Sequence, residues 1–215
     1  MRMILLNYNQ TLRIIFVLGL LAVGLPTLAF AKERSVVLAL GDSLTAGFGV
    51  ESEENYPSQL QLKIKAAGFL HKVVNAGVSG DTTAGGVRRI RWLMKHEPEI
   101  VILALGANDG LRGLSIDEMR KNLETMIGIC REHNARILLA GMKALPNYGE
   151  EYMQEFATVF PELAEKYDLQ FLPFLLEGVA GEREHTQPDG LHPLASGYRI
   201  VTDLVWQRLQ PMLKK

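Results

Sequence analysis

Four short clusters of glycine and polar residues contain the side chains of this sequence that are best suited to acyl transfer. They are Gly41-Asp42-Ser43-Leu44, Ser79-Gly80-Asp81-Thr82, Gly106-Ala107-Asn108-Asp109 and Asp189-Gly190-Leu191-His192. A serine hydroxyl is a weak nucleophile until a neighbouring base takes its proton, and histidine has the pKa range for that base. The types of these residues therefore make Ser43 the candidate nucleophile and His192 the candidate base.

A carboxylate that could orient the histidine lies three residues before it, at Asp189. On a turn, this spacing lets the carboxylate accept a hydrogen bond from Nδ1 of His192, so that Nε2 faces the serine. Asp42 is the competing candidate, because it directly precedes the serine. We favour Asp189 for its spacing from His192 and interpret Asp42 as a brace for the turn. Asp81 and Asp109 are interpreted as residues that organise their loops.

The clusters also offer donors for the oxyanion of a tetrahedral intermediate, which needs preorganised hydrogen bonds. The backbone N–H groups of Ser43 and Gly80 and the side-chain amide of Asn108 are the three candidates. Each has a structural alternative, because Gly-Asp-Ser and a lone glycine suit turns and asparagine often caps a helix. The occurrence of all four clusters in one order favours catalysis.

Continuous apolar runs precede the first three clusters and predict buried parallel strands, because strands that are covered on both faces are apolar throughout. Of five candidate strands, the last contains Pro173, which weakens its prediction because proline cannot donate a hydrogen bond to a strand ladder. Residues at the carboxyl ends of parallel strands meet at one edge of the sheet, which would bring the clusters together. The candidates are Ser35–Leu40, Lys72–Asn75, Ile100–Leu105, Arg136–Ala140 and Gln170–Phe174.

Segments with helical spacing alternate with these strands, which is typical of βαβ units. They are Tyr56–Ala67, Thr83–Lys95, Ser115–Arg131, Tyr152–Tyr167 and Ala195–Leu213. The third begins with the capping-box residues Ser115 and Glu118. No internal repeat or linker divides the chain. The pattern predicts one α/β domain with a mainly parallel five-stranded sheet and helices on both faces.

The four clusters together resemble the GDSL, or SGNH, hydrolases, and in particular their secreted bacterial subgroup of thioesterase I, lysophospholipase and arylesterase enzymes. The matching blocks read GDSLTAG at 41–47, NAGVSGDTT at 75–83, LGANDG at 105–110 and DGLHP at 189–193. The resemblance implies a flavodoxin-like three-layer α/β/α sandwich that hydrolyses esters or thioesters without a metal or another cofactor. It also implies a triad of Ser43, Asp189 and His192 and an oxyanion hole of Ser43, Gly80 and Asn108.

Further apolar and glycine residues follow the predicted strands or precede the last cluster. Leu111, Leu145, Pro146 and Val179 are candidates for the lining of an acyl pocket. Ordinary loop packing explains their residue types equally well. The sequence leaves both interpretations open.

The first 31 residues have the composition of a secretory signal peptide. Arg2 and Arg13 precede an apolar run from Ile14 to Leu25, and Ala29-Phe30-Ala31 is a cleavage pattern. An uncleaved membrane anchor is the alternative, although the run is short for a full span. We therefore expect residues 1–31 to be removed and residues 32–215 to form a single domain in the periplasm or outside the cell.

Composition argues against several other classes of function. Lys plus Arg number 23 and Asp plus Glu 24, so there is no basic excess that would favour nucleic acid. Cys130 is the only cysteine, which excludes an intramolecular disulfide, and we interpret it as a buried small hydrophobe. The sequence contains no His-x-x-x-His pair, so it gives no indication of a catalytic zinc site. The histidines outside the clusters are interpreted as surface residues: His71, His96, His133 and His185.

These features predict a serine esterase that acts on aryl esters, acyl thioesters or lysophospholipids through an acyl-enzyme. We expect a monomer that binds a small ester or lipid substrate, with no cofactor and no stable membrane span after signal cleavage. A polysaccharide O-deacetylase is one alternative, although aromatic residues are only 7% and both tryptophans fall in predicted helices. A non-catalytic lipid- or glycan-binding module is the other, and it predicts a missing triad residue.

Overall fold

The computed structural model describes residues 35–214. The predicted signal peptide lies outside the described residues. Cys130 is fully buried, as its interpretation as a small hydrophobe requires. Within residues 35–214, no helix has both the length and the apolar character that crossing a membrane requires.

A parallel five-stranded sheet forms the centre of the described domain, with the strand order β2-β1-β3-β4-β5. Every neighbouring pair is parallel, and this order is that of the flavodoxin type of doubly wound sheet. Every predicted strand is present, and the fifth ends directly before Pro173, which cannot continue the ladder. The strands are β1 (Val36–Gly41), β2 (Lys72–Gly77), β3 (Pro98–Ala104), β4 (Arg136–Ala140) and β5 (Gln170–Leu172).

Helices cover the sheet in two groups, with α2 packed against α7, and α5 packed against α3 and α6. The helices cover both apolar faces of the central strands, so residues Val37–Leu40 and 100–103 have no exposed surface. The helices are α1 (Ser43–Ala46), α2 (Tyr56–Ala66), α3 (Thr83–Leu93), α4 (Ala107–Leu111), α5 (Ile116–Glu132), α6 (Glu150–Lys166) and α7 (Ala195–Leu209). Short 3₁₀ helices span Met94–His96, Pro146–Tyr148 and Gln210–Met212.

Local signals explain where the long helices begin. The hydroxyl of Ser115 accepts a hydrogen bond from the N–H of Glu118 at 3.3 Å, as the predicted N-cap requires. Asn55 caps α2 through the N–H of Ser58 at 2.9 Å. The sequence analysis predicts neither of the two short helices α1 and α4, because four or five residues are too few for a visible apolar period.

The histidine at the amino end of β2 is a correction to the sequence interpretation. His71 was expected at the surface, but it is only 4% exposed. Its Nε2 atom lies 3.1 Å from a carboxylate oxygen of Glu99, which also pairs with Arg136 on the neighbouring strand. The imidazole is covered by its neighbours, since it lies against Glu99 and against the Phe69 ring, with 6.2 Å between ring centroids.

Candidate active site

The candidate nucleophile sits in the turn between β1 and α1. Ser43 is the first residue of α1, and the carboxylate of Asp42 caps this helix by accepting from the N–H of Leu44 at 3.0 Å. The chain reverses so tightly here that a Cβ on Gly41 would overlap the Thr45 hydroxyl. The turn therefore needs glycine at position 41, and it holds the half-buried serine at the carboxyl edge of the sheet.

Three side chains form a continuous hydrogen-bonded chain at this edge. Nε2 of His192 lies 2.8 Å from Oγ of Ser43, and Nδ1 of His192 lies 2.6 Å from a carboxylate oxygen of Asp189. The geometry thus pairs the histidine with Asp189, whereas Asp42 contacts Leu44 and Asn108.

The charge state of Asp189 sets the proton positions in this chain. Its other carboxylate oxygen accepts from the N–H groups of His192 at 3.0 Å and Leu191 at 2.9 Å. The hydrogen bond from the His192 backbone is the main cause that lowers the pKa of Asp189 to about 2. An ionised carboxylate only accepts, so Nδ1 carries the proton and Nε2 of the neutral ring is free to accept from the serine hydroxyl.

The loop that carries the histidine is tied to the serine turn. Nε2 of Gln187 donates to the carbonyl oxygens of Phe48 at 2.8 Å and Pro193 at 3.0 Å, and its backbone N–H donates to the carbonyl of His192 at 2.7 Å. The Phe48 ring lies against the imidazole, with 4.7 Å between ring centroids. These contacts hold the imidazole over Ser43 from a segment far along the chain.

The candidate oxyanion donors come from two further strand ends. Asn108 lies in α4 after β3, and its Nδ2 atom is 3.3 Å from a carboxylate oxygen of Asp42. Gly80 lies in the loop after β2 with a positive φ of 79°, a conformation that suits glycine.

Burial raises the pKa of Asp42 to about 6, since its side chain has no exposed surface.

Two acidic residues organise these loops, as the sequence predicts. The Asp109 carboxylate accepts from the backbone N–H of Thr83 at 2.9 Å and from its hydroxyl at 2.6 Å. The Asp81 carboxylate accepts from Arg89 at 2.8 Å, and the same guanidinium donates to the carbonyl of Gly41 at 2.9 Å. The loops after β2 and β3 are therefore fastened to the sheet and to α3.

A cavity of about 540 Å³ opens beside the serine. Leu111 and Leu145, two of the four candidates for an acyl pocket, lie in its wall. Pro146 lies in the 3₁₀ helix after Leu145, and Val179 is fully buried; neither lines the cavity. The sequence interpretation missed several other apolar residues of the lining, most of which come from segments after a strand end: Phe48, Met142, Ala144, Phe174, Leu176 and Leu191.

Charged groups are few in the cavity wall. Besides Asp42 and His192, Lys143 is the only ionisable residue of the lining in the described part of the chain. Its ammonium lies over the Phe174 ring, 4.3 Å from the centroid. Over residues 35–214, no group of three or more His, Cys, Asp or Glu side chains is arranged to hold a metal ion. A wall of this composition suits an apolar chain with a polar reacting group at one end.

The sequence profile of the GDSL-like Lipase/Acylhydrolase family matches residues 39–200. The chain belongs to this family. Three curated relatives have related activities in their names. Esterase TesA of Pseudomonas aeruginosa is 36% identical over 94% of this chain and 100% of its own length. An arylesterase of Vibrio mimicus is 37% identical over 84% of this chain and 91% of its own. Thioesterase 1/protease 1/lysophospholipase L1 of Escherichia coli K12 is 34% identical over 85% of this chain and 87% of its own.

A solved structure shares the fold of the described domain. The crystal structure of TesA superposes with a TM-score of 0.80 at 36% identity and covers 83% of this chain and 100% of the other. The expected three-layer α/β/α fold of the SGNH hydrolases is thereby confirmed. Together with the family match and the relatives, it makes this protein a serine esterase of the GDSL family, a carboxylic-ester hydrolase.

Proposed function

We propose that Ser43 is the nucleophile of this esterase, with His192 as its general base and Asp189 as the acid that orients the base. The supporting observation is the chain of two short contacts, 2.8 Å from Ser43 to His192 and 2.6 Å from His192 to Asp189. As Oγ attacks the ester carbonyl, Nε2 takes the hydroxyl proton and then delivers it to the departing alcohol or thiol. A water molecule activated by the same nitrogen hydrolyses the acyl-enzyme.

The oxyanion of each tetrahedral intermediate is held by the backbone N–H groups of Ser43 and Gly80 and by the Asn108 amide. All three lie at the carboxyl edge, in segments that follow β1, β2 and β3. The contact of Asn108 with Asp42 directs its NH₂ group toward the serine turn. Removal of one such donor typically lowers kcat by about 10²–10³-fold.

The substrate class that the cavity favours is an ester or thioester with an apolar acyl chain. Its volume of about 540 Å³ is within the range of small-molecule sites, and its wall is mostly aliphatic or aromatic carbon. Aryl esters, acyl thioesters and lysophospholipids share this acyl group and differ in the part that leaves.

The test is hydrolysis of p-nitrophenyl butyrate together with labelling by a fluorophosphonate. The Ser43→Ala variant is expected to lose hydrolysis by about 10⁴-fold or more and to take no label. Ser58→Ala is the matched control, because Ser58 lies on the first turn of α2 outside the cavity lining and its hydroxyl donates to the carbonyl of Ser52. Hydrolysis or labelling that survives in Ser43→Ala would show that the nucleophile lies elsewhere.

We also propose that the protein is exported, with residues 1–31 removed as a signal peptide. The support is the sequence alone: two arginines, an apolar run and Ala29-Phe30-Ala31. Amino-terminal sequencing of the protein from the periplasm or medium should start at Lys32. A start at Met1 in the membrane fraction would instead indicate an anchor.

A further inference from the structure

One arginine touches both of the loops that carry candidate oxyanion donors. Nη2 of Arg112 donates to the carbonyl of Gly80 at 2.8 Å and lies 3.5 Å from Oδ1 of Asn108. The arginine follows α4 directly, and its backbone N–H bonds back to the carbonyl of Asn108. The side chain therefore connects the end of β3 with the loop after β2, although it is itself exposed.

The loop at Gly80 needs such a restraint. Its positive φ of 79° has little steric hindrance because glycine lacks a Cβ, so the residue has wide backbone freedom. The turn bond from the N–H of Asp81 to the carbonyl of Val78, 3.0 Å long, closes one side of the loop. The Gly80 carbonyl has the guanidinium as its partner, and a charge-assisted bond of 2.8 Å is among the stronger kinds.

The amide of Asn108 has a partner of opposite character on each side. Its Nδ2 atom faces the carboxylate of Asp42 at 3.3 Å, and its Oδ1 atom faces the guanidinium of Arg112 at 3.5 Å. A carboxylate only accepts and a guanidinium only donates. A flipped amide would place NH₂ against Arg112 and oxygen against Asp42, so the two partners fix one orientation, with the second N–H of the amide left for the oxyanion.

We propose that Arg112 is a positioning residue of the oxyanion hole, which aligns the Gly80 loop and the Asn108 amide for the transition state. Buried Asp42 is its counterpart on the other side of that amide. This inference rests on the proposed roles of Ser43, Gly80 and Asn108. It assigns Arg112 no contact with the reacting atoms, so its effect falls on kcat rather than on binding.

The competing role for an exposed arginine at this mouth is recognition of an anionic leaving group. The two roles differ in their dependence on substrate. A misaligned oxyanion hole lowers kcat for the neutral and the anionic substrate alike, since each forms an oxyanion at the same position. Lost recognition of a phosphate raises KM for an acyl-CoA and leaves a neutral aryl ester unaffected.

The experiment compares Arg112→Ala and Arg112→Lys with wild type on p-nitrophenyl butyrate and on a fatty acyl-CoA. We expect Arg112→Ala to lower kcat about tenfold on both substrates, with KM within about twofold, because the donors remain but are less well held. Lysine is expected to recover only part of this loss, since a single ammonium does not reproduce the planar fork. Millimolar guanidinium should restore activity in Arg112→Ala alone.

Arg91→Ala is the matched control, because Arg91 is an exposed arginine on α3 whose partner is Glu132, 3.4 Å away. It should keep full activity and show no response to guanidinium. A kcat of Arg112→Ala within twofold of wild type overturns the inference, and so does a loss confined to KM for the acyl-CoA. Ser43→Ala, assayed in parallel, reports on the proposed function itself: if it stays active, that proposal fails whatever Arg112 does.

Discussion

Two histidine–carboxylate pairs lie at opposite edges of the sheet. At the carboxyl edge, Nδ1 of His192 is 2.6 Å from Asp189, and Nε2 is 2.8 Å from Ser43. At the amino edge, Nε2 of His71 is 3.1 Å from Glu99. The second nitrogen of His71 is buried without a hydrogen-bond partner in the described part of the chain.

The difference shows that a histidine next to a carboxylate is not by itself a base. His192 has a hydroxyl on its free nitrogen and borders an open cavity. In the described part of the chain, His71 has no hydroxyl on its second nitrogen and does not line this cavity. Its carboxylate partner, Glu99, also pairs with Arg136. What makes the pair catalytic is the group on the second nitrogen and the access of substrate to it.

Replacing each histidine gives the largest contrast between the two edges. We expect His192→Gln to lower kcat by about 10⁴-fold or more, because the serine loses the base that takes its proton. His71→Gln should stay within about twofold of wild type per folded molecule, since it contacts no reacting group. The measurement is kcat for p-nitrophenyl butyrate with the folded fraction checked by circular dichroism. Comparable losses in both variants would contradict the assignment of the base.

Replacing each carboxylate gives a smaller contrast. Asp189→Asn is expected to lower kcat by about 10³-fold, because the amide can donate to Nδ1 and so favours the wrong tautomer. Glu99→Gln is the counterpart at the amino edge and should leave kcat unchanged. The two pH–rate profiles provide the check, and an Asp189→Asn variant with wild-type kcat would return Asp42 to consideration as the triad acid.

Asp42 lies at the carboxyl edge and Glu99 at the amino edge, and the two carboxylates differ in how their ionisation affects folding. Burial raises the pKa of Asp42 from 3.8 to about 6. Burial also raises the pKa of Glu99, but hydrogen bonds from Ser35 and Arg136 outweigh it and hold the value below 4.5. Ionisation therefore opposes folding at Asp42 and favours it at Glu99.

The pH dependence of stability follows from these signs. As pH rises from about 3.8 to about 6, the unfolded chain releases the Asp42 proton before the folded chain does, so wild type loses roughly 3 kcal/mol of stability from this group. Asp42→Asn lacks that loss, and its stability relative to wild type should rise over the same interval. For Glu99→Gln the relative stability should fall as pH rises, because the wild-type carboxylate stabilises the fold above its unfolded pKa and loses this effect in acid.

Urea unfolding of the three proteins between about pH 3.5 and about pH 7.5 measures both slopes. Slopes of equal sign for Asp42→Asn and Glu99→Gln would contradict the contrast. This is the smallest of the effects in activity terms, since it concerns the fraction folded rather than the chemical step.

Much of the architecture was predictable because it depends on short-range patterns. Arg136–Ala140 was predicted to the residue, since a continuous apolar run between polar ends marks a buried strand. Ser115 was recognised as a helix start from its own side chain and that of Glu118. Errors at other boundaries were small, as for α7, which ends at Leu209 before a 3₁₀ turn with Pro211.

The site was predictable only in part. The residues that form the contacts of the candidate triad could be named, because each belongs to a compact motif with a known chemical role. Most of the apolar wall could not be named from the sequence. Met142, Phe174 and Leu176 come from loops after β4 and β5, and no pattern within either loop marks these residues as lining. Val179 is apolar like most lining residues, yet it is fully buried in the core.

The sequence by itself determined the type of sheet, the order of the motifs and the identity of the candidate serine, histidine and aspartate. These follow from periodicity and residue chemistry, which are properties of neighbouring positions along the chain. Only the tertiary structure decided that Asp189 rather than Asp42 holds the imidazole, that His71 is buried, and that Arg112 bridges Gly80 and Asn108. The choice of Asp189 depends on the local conformation of residues 189–192, which residue types alone leave open. The burial of His71 and the bond from Arg112 to Gly80 join segments far apart in sequence, and such contacts are set by strand register and helix packing.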